Sequence, residues 1–213
     1  MKRLFILTFI LSAIYLCPVV SAEVHIVDMP VECNDQRETL TRAYSQTHYG
    51  MDITKIVPRA VIVHWTDANT WESTYNYFHS PAREDGTLNV SSQFLVDRDG
   101  TIYRLMPETA LARHAIGYNW CAIGIENVGG VNNAEDLTPE QLHANVELIR
   151  YLHDKYPGIQ YVFGHYQQVT ARATGLYIEH VKGYHSIKSD PGPTFMMQLR
   201  SNLAHDGLTF FPE

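Results

Sequence analysis

Ala60-Val61-Ile62-Val63-His64-Trp65-Thr66 is an apolar, β-branched run that stops at a histidine. Its length and composition read as a buried strand, Ala60 to His64. A histidine in that place projects into whatever cleft the strand borders, while the strand holds its backbone rigid. A single one is more often an ordinary half-buried histidine than a ligand. The pattern recurs at Tyr161-Val162-Phe163-Gly164-His165, where Gly164 permits close backbone approach. Two strand-terminal histidines make metal binding a serious hypothesis.

Working outward, strands are predicted at Gln93 to Asp97, Thr101 to Leu105, Ala122 to Glu126 and Gln160 to Gly164. The first two flank Arg98-Asp99-Gly100, whose Asp-Gly pair signals a hairpin. The clearest helix starts at Thr138 as N-cap, with Pro139 at the first position and Gln141 closing a capping box. Leu142, Val146, Ile149 and Leu152 mark its buried face, and Tyr156-Pro157-Gly158 stops it. Further helices are expected around Trp71, Tyr75 and Phe78, around Phe195, Leu199 and Leu203, and from Asp35 to Gly50. Strands interleaved with helices and one adjacent hairpin predict a mixed α/β fold: a central mixed sheet flanked by helices.

At the N-terminus Lys2 and Arg3 precede an apolar run from Leu4 to Leu16 and then Val20-Ser21-Ala22, the pattern of a secretory signal peptide over residues 1–22. The run is short for a membrane anchor and lacks a charged stop. A lipoprotein reading through Cys17 is disfavoured by bulky Leu16. Removing the leader from the 213 residues leaves 191, read as one domain over 23–213. Losing Lys2 and Arg3 moves the formal charge from −7 to −9, without long runs of one sign. That speaks against nucleic-acid and polybasic membrane partners. Export makes a periplasmic or secreted location the expectation. It also permits a disulfide between Cys33 and Cys121; two unpaired cysteines, Cys121 buried, is the equal alternative.

A catalytic zinc wants three nitrogen or oxygen ligands and an open position. Beside His64 and His165, Lys188-Ser189-Asp190-Pro191-Gly192-Pro193 offers Asp190 as the third and Lys188 as a nearby cation, although an Asp before Pro is by itself an ordinary turn former. Glu126 ends the apolar strand Ile123-Gly124-Ile125-Glu126, where a lone acid is costly unless paired or facing a cleft. It suits the base, and Lys188 the stabiliser of an oxyanion.

In this order the segments resemble the zinc-dependent N-acetylmuramoyl-L-alanine amidase superfamily, which includes AmpD-like enzymes, amidase-type phage lysozymes and peptidoglycan recognition proteins. The resemblance runs from about Ile56 to Phe195. It covers Val61 to Thr66, the hairpin from Ser91 to Gly100, His114-Ala115 through Glu126, Gly164-His165, and Lys188 to Gly192. It implies zinc held by His64, His165 and Asp190, with Glu126 and Lys188 as catalytic residues and His114 and Asn119 as substrate contacts. The implied reaction is hydrolysis of the amide joining the lactyl group of N-acetylmuramic acid to L-alanine in peptidoglycan. A peptidoglycan-binding module without catalysis, and a zinc amidase for another stem-peptide bond, are the competing readings. Retention of all five site residues favours the enzyme.

Three departures from the family pattern stand out. Gln93 occupies a position where many relatives carry histidine, and the tyrosine used nearby by phage lysozymes is absent. The interval from His165 to Asp190 is long, and as an insertion it would overhang the metal site, either shaping specificity or lying as a tolerated loop. It also contains His180 and His185, which makes His185 a rival to His165; strand-Gly-His supplies the rigid placement that a loop histidine lacks.

Overall fold

The structure, a computed structural model, describes residues 24–212; the predicted leader lies outside them. Seven strands occur among these residues: β1 (Ile26–Asp28), β2 (Ala60–Trp65), β3 (Phe94–Val96), β4 (Ile102–Arg104), β5 (Ala122–Asn127), β6 (Tyr161–Gly164) and β7 (Thr209–Phe210). They form one sheet in the order β1-β4-β3-β5-β2-β6-β7. Only the predicted hairpin, β3 with β4, pairs antiparallel; every other neighbour runs parallel. Four helices accompany the sheet: α1 (Asp35–Tyr49), α2 (Trp71–His79), α3 (Pro139–Lys155) and α4 (Pro193–Asn202). This is the mixed α/β architecture expected.

Local chemistry explains where the helices begin. Thr138 accepts from Gln141 N while the Gln141 side chain accepts from Thr138 N, so the predicted capping box is complete. Asn34 and Thr70 cap α1 and α2 in the same way, with one side-chain bond each. At α4 the N-cap Gly192 has no side chain to offer, and Glu135 Oε2 accepts from Thr194 N at 3.0 Å instead; Pro193 at the first turn needs no amide partner.

The two faces of the sheet have different fates, set by the period-two alternation of each strand. Val61, Val63, Ile123, Ile125 and Val162 turn toward α3 and α4, packing with Leu148, Ile149, Leu152, Phe195 and Leu199. Ala60, Ile62, Ala122 and Phe163 turn the other way, onto Tyr118, Cys121 and Ala171. Loop segments and a short 3-10 turn, not α-helices, cover this second patch, and the alternation that buries it continues along each strand to His64, Glu126 and His165.

Several expectations are corrected. β1 and β7 were not anticipated, being edge strands of three and two residues. Of the two alternatives for the cysteines, the structure has the unpaired one: Cys33 is exposed, while Cys121 is buried behind the sheet. The stretch after His165 does not overhang the metal site through its length. It folds down through two 3-10 turns, His165–Gln168 and Thr170–Thr174. It is then tied to the 117–120 loop by Ile178 N donating to Gly117 O and Trp120 Nε1 donating to Leu176 O, and to the end of α1 by His180 N donating to His48 O. Among the described residues no helix is long and apolar enough to cross a membrane.

Candidate metal centre

β5, β2 and β6 lie side by side and run parallel, so their carboxyl ends reach the same level. In register, His64 faces Glu126 across one strand boundary and Val63 faces Gly164 across the other. His165, the next residue after Gly164, therefore emerges beside His64. The crevice beyond the carboxyl ends of parallel strands is where α/β folds place ligands. Asp190 arrives from the far side, its backbone carbonyl accepting from Tyr166 N at 2.9 Å. Gly164 lets it come close, since a Cβ there would lie 2.8 Å from Pro191 Cδ.

The resulting group is tight. His64 Nδ1 lies 3.0 Å from His165 Nδ1 and 3.0 Å from Asp190 Oδ2, and His165 Nδ1 lies 3.2 Å from the same oxygen. Ligand atoms of a tetrahedral site with bonds of about 2.0–2.1 Å stand roughly 3.3 Å apart, so this triangle fits a zinc ion. All three side chains are buried. His185, the rival ligand, is exposed and takes no part in the group.

The protonation pattern supports the same reading. His114 Nε2 lies 3.2 Å from Ala122 O, which can only accept, so that nitrogen carries a proton. Burial, reinforced by the neighbouring His64, holds His114 well below its ordinary pKa and hence neutral. Its Nδ1, 3.1 Å from His64 Nε2, is then an acceptor, and His64 Nε2–H donates to it. His64 is itself lowered to about 4, chiefly by burial and then by His165. Its Nδ1 is thereby left with a free lone pair aimed at His165 and Asp190. Burial alone would raise the Asp190 carboxyl, but the adjoining His165 and His64 imidazoles outweigh it and keep it well below the usual carboxylate range.

Glu126 is 9 % exposed, and its Oε2 has no hydrogen-bond partner among the described residues. Burial first, and Asp190's charge second, push its pKa well above the ordinary value, with Lys188 opposing. Both Glu126 and Lys188 line an open cleft of about 740 Å³ whose wall also includes His64, His165, Asp190 and Arg113.

Other site residues have roles that the sequence did not disclose. His114 does border the cleft, but both of its ring nitrogens are engaged, one by His64 and one by Ala122 O. Its ring sits over Gly124, where a Cβ would come within 2.7 Å of it. Asn119 does not reach the cleft. It is wholly buried, accepts from His114 N and Ala115 N at 2.9 and 2.6 Å, and donates to Tyr44 Oη at 3.1 Å, so it shapes the loop that carries His114. Gln93 is buried too, bonded to Gly124 N at 2.7 Å and Ala110 O at 2.8 Å, a brace for β5. Asn127, at the end of β5, donates to His64 O at 3.0 Å and accepts from Asn145 of α3 at 2.6 Å. Nothing in the local pattern of Asn127 or Asn145 announces this, because the contact depends on long-range pairing.

Two buried histidines and an aspartate around one point, with a buried glutamate in the same open cleft, form a donor set of the class that suits a zinc-type ion. Comparison with known proteins narrows the class. Residues 54–193 match the N-acetylmuramoyl-L-alanine amidase family, and the chain belongs to it. The endolysin of Escherichia phage T7 is 36 % identical over 80 residues, 36 % of this chain and 53 % of that protein. The chain thus spans about half the length of the curated relatives it matches. The same fold occurs in the endolysin amidase LysCS of Clostridium intestinale URNW, with a TM-score of 0.54 at 22 % identity, covering 86 % of this chain and 98 % of that one. It also occurs in bumblebee PGRP-SA, with a TM-score of 0.51 at 19 % identity, covering 88 % and 98 %.

Proposed function

We propose that the protein is a zinc-dependent amidase that hydrolyses the bond between the lactyl group of N-acetylmuramic acid and L-alanine in peptidoglycan. It would meet that substrate after export directed by residues 1–22, in the periplasm or outside the cell. The observation that carries the reading is the alignment of Glu126, His64 and His165 at one level of three adjacent parallel strands, closed by Asp190, within an open cleft.

His64, His165 and Asp190 would hold the metal, which would supply Lewis-acid activation of a water and of the scissile carbonyl. Glu126, in its ionised form, takes the proton of the attacking water and returns it to the departing L-alanine amine. Lys188 donates to the carbonyl oxygen as negative charge develops there. His114 keeps His64 in the tautomer that presents Nδ1, the usual task of a ligand histidine's hydrogen-bond partner.

Incubating the purified protein, loaded with zinc, with muropeptides and identifying the products by mass tests the proposal. The expected products are free stem peptide and peptide-free muramyl sugar. Muropeptides left intact at this linkage would sink it, and cleavage elsewhere in the stem peptide would redirect it.

A further inference from the structure

The long connection from His165 to Asp190 builds a second groove, of about 440 Å³, outside the metal centre. Ile116, Val169, Tyr177 and Tyr184 give it apolar and aromatic walls. Ile187, 96 % exposed, borders both this groove and the catalytic cleft, and Lys188 follows it directly. The two cavities therefore adjoin at one residue.

The charge in the groove runs against that of the whole chain, which is −7. Its basic members are Arg172, Lys182 and His185, and its one acid is Glu179. That acid is turned inward: its side chain is 3 % exposed, with both oxygens 3.0 Å from His48 Nδ1. The charges presented outward are the Arg172 guanidinium, stacked 4.1 Å from the Tyr177 ring centroid, and the Lys182 ammonium. The groove is also held in shape. Gln168 Nε2 donates to Ser186 O at 2.7 Å, Tyr118 Oη donates to Gln168 O at 2.7 Å, and the backbone ties to Gly117 and His48 fix its middle.

We infer that this groove is a subsite for the peptide half of the substrate, in which Arg172 and Lys182 receive a carboxylate of the peptide beyond the scissile amide. The inference rests on the amidase reading above. A peptide leaving the scissile bond carries at least its terminal carboxylate, and guanidinium and ammonium groups beside apolar walls match that chemistry. The sugar half is a poorer match. Sugar hydroxyls are best held by free carboxylates and amides, whereas Glu179 and Gln168 are already engaged.

The test compares two muramyl peptides that differ only in a free or an amidated C-terminal carboxylate. For the wild-type protein the amidated substrate is expected to show a KM raised about fivefold or more, with kcat within about twofold. Arg172→Ala and Lys182→Glu, singly and together, should raise KM for the free acid and abolish the discrimination; both side chains are exposed, so folding is not at stake. Calorimetric binding of the released peptide, acid against amide, gives a readout independent of turnover. Carboxylate-dependent binding that the two substitutions remove would support the groove even if no hydrolysis occurred, a result that would overturn the amidase reading alone. Hydrolysis with equal KM for the two substrates, or discrimination that survives both substitutions, overturns the groove.

Discussion

His64 Nε2 and His114 Nδ1 are 3.1 Å apart, and this contact joins the metal group to the carbonyl of Ala122 through two imidazole rings. His114→Ala removes the acceptor that fixes His64. Metal affinity, read by chelator competition, should fall about 10- to 100-fold. His114→Gln, whose carbonyl can accept the same proton, should recover much of it. Unchanged affinity in His114→Ala would show that His64 needs no such partner.

His165→Ala and Asp190→Ala should each weaken metal binding by more than about a hundredfold, because each deletes one of the three proposed ligands. His185→Ala should leave metal content at one ion per chain. Metal analysis after dialysis separates the cases, and loss of the ion in His185→Ala would reinstate the loop histidine.

Glu126→Gln should lower kcat by about 10²- to 10⁴-fold while retaining the metal. It should also stabilise the metal-free protein, in a way that depends on pH. The unfolded chain releases this proton near about 4.3, and the folded chain holds it to a much higher pH. Above that lower value the native state binds more protons than the unfolded one, so stability falls as pH rises. The gain from Glu126→Gln is therefore expected at neutral pH, about 1–3 kcal/mol, and should vanish near pH 4. Denaturant melts of the metal-free proteins at the two pH values decide it; an equal gain at both would point to packing instead of charge.

Cys33 should react with a maleimide in the native protein and Cys121 only after denaturation. Cys33 is exposed; partial desolvation of its thiol raises its pKa, with Arg37 opposing. Cys121 is buried, and its thiol is pushed up to about 12 by the same effect, leaving almost no thiolate at neutral pH. Peptide mapping locates the label. Equal labelling of the two, or a peptide linking them, would contradict the structure.

The centre of the sheet was legible because β2, β5 and β6 are buried on both faces and so read as continuous apolar runs. Their terminal His64, Glu126 and His165 stood out against that background. The edges were not, since β1 and β7 have two or three residues each, too few to show a period. Asn119 and His114 were placed as substrate contacts by family likeness. Only the fold shows that Asn119 gives its oxygen to the loop backbone and its amide nitrogen to the Tyr44 hydroxyl, and that His114 leans on His64. Gln93 and Asn127 were opaque for a related reason: a buried amide gains meaning from partners 31 and 63 positions away.

The parallel register that sets Glu126 and His64 abreast has a consequence for how such a chain can change. The relative placement of base and ligands is enforced by main-chain ladders, which are indifferent to side-chain identity along the rest of each strand. The connection between His165 and Lys188 meets the reaction centre only at those two ends; its middle is tied instead to the 117–120 loop and to the end of α1. Changes confined to that middle leave the ladders that align the centre untouched. Recognition and chemistry thus lie on separate parts of the chain, and a transplanted 169–187 segment should carry its preferences into another scaffold of this topology only together with the 116–120 loop and the end of α1 that hold it.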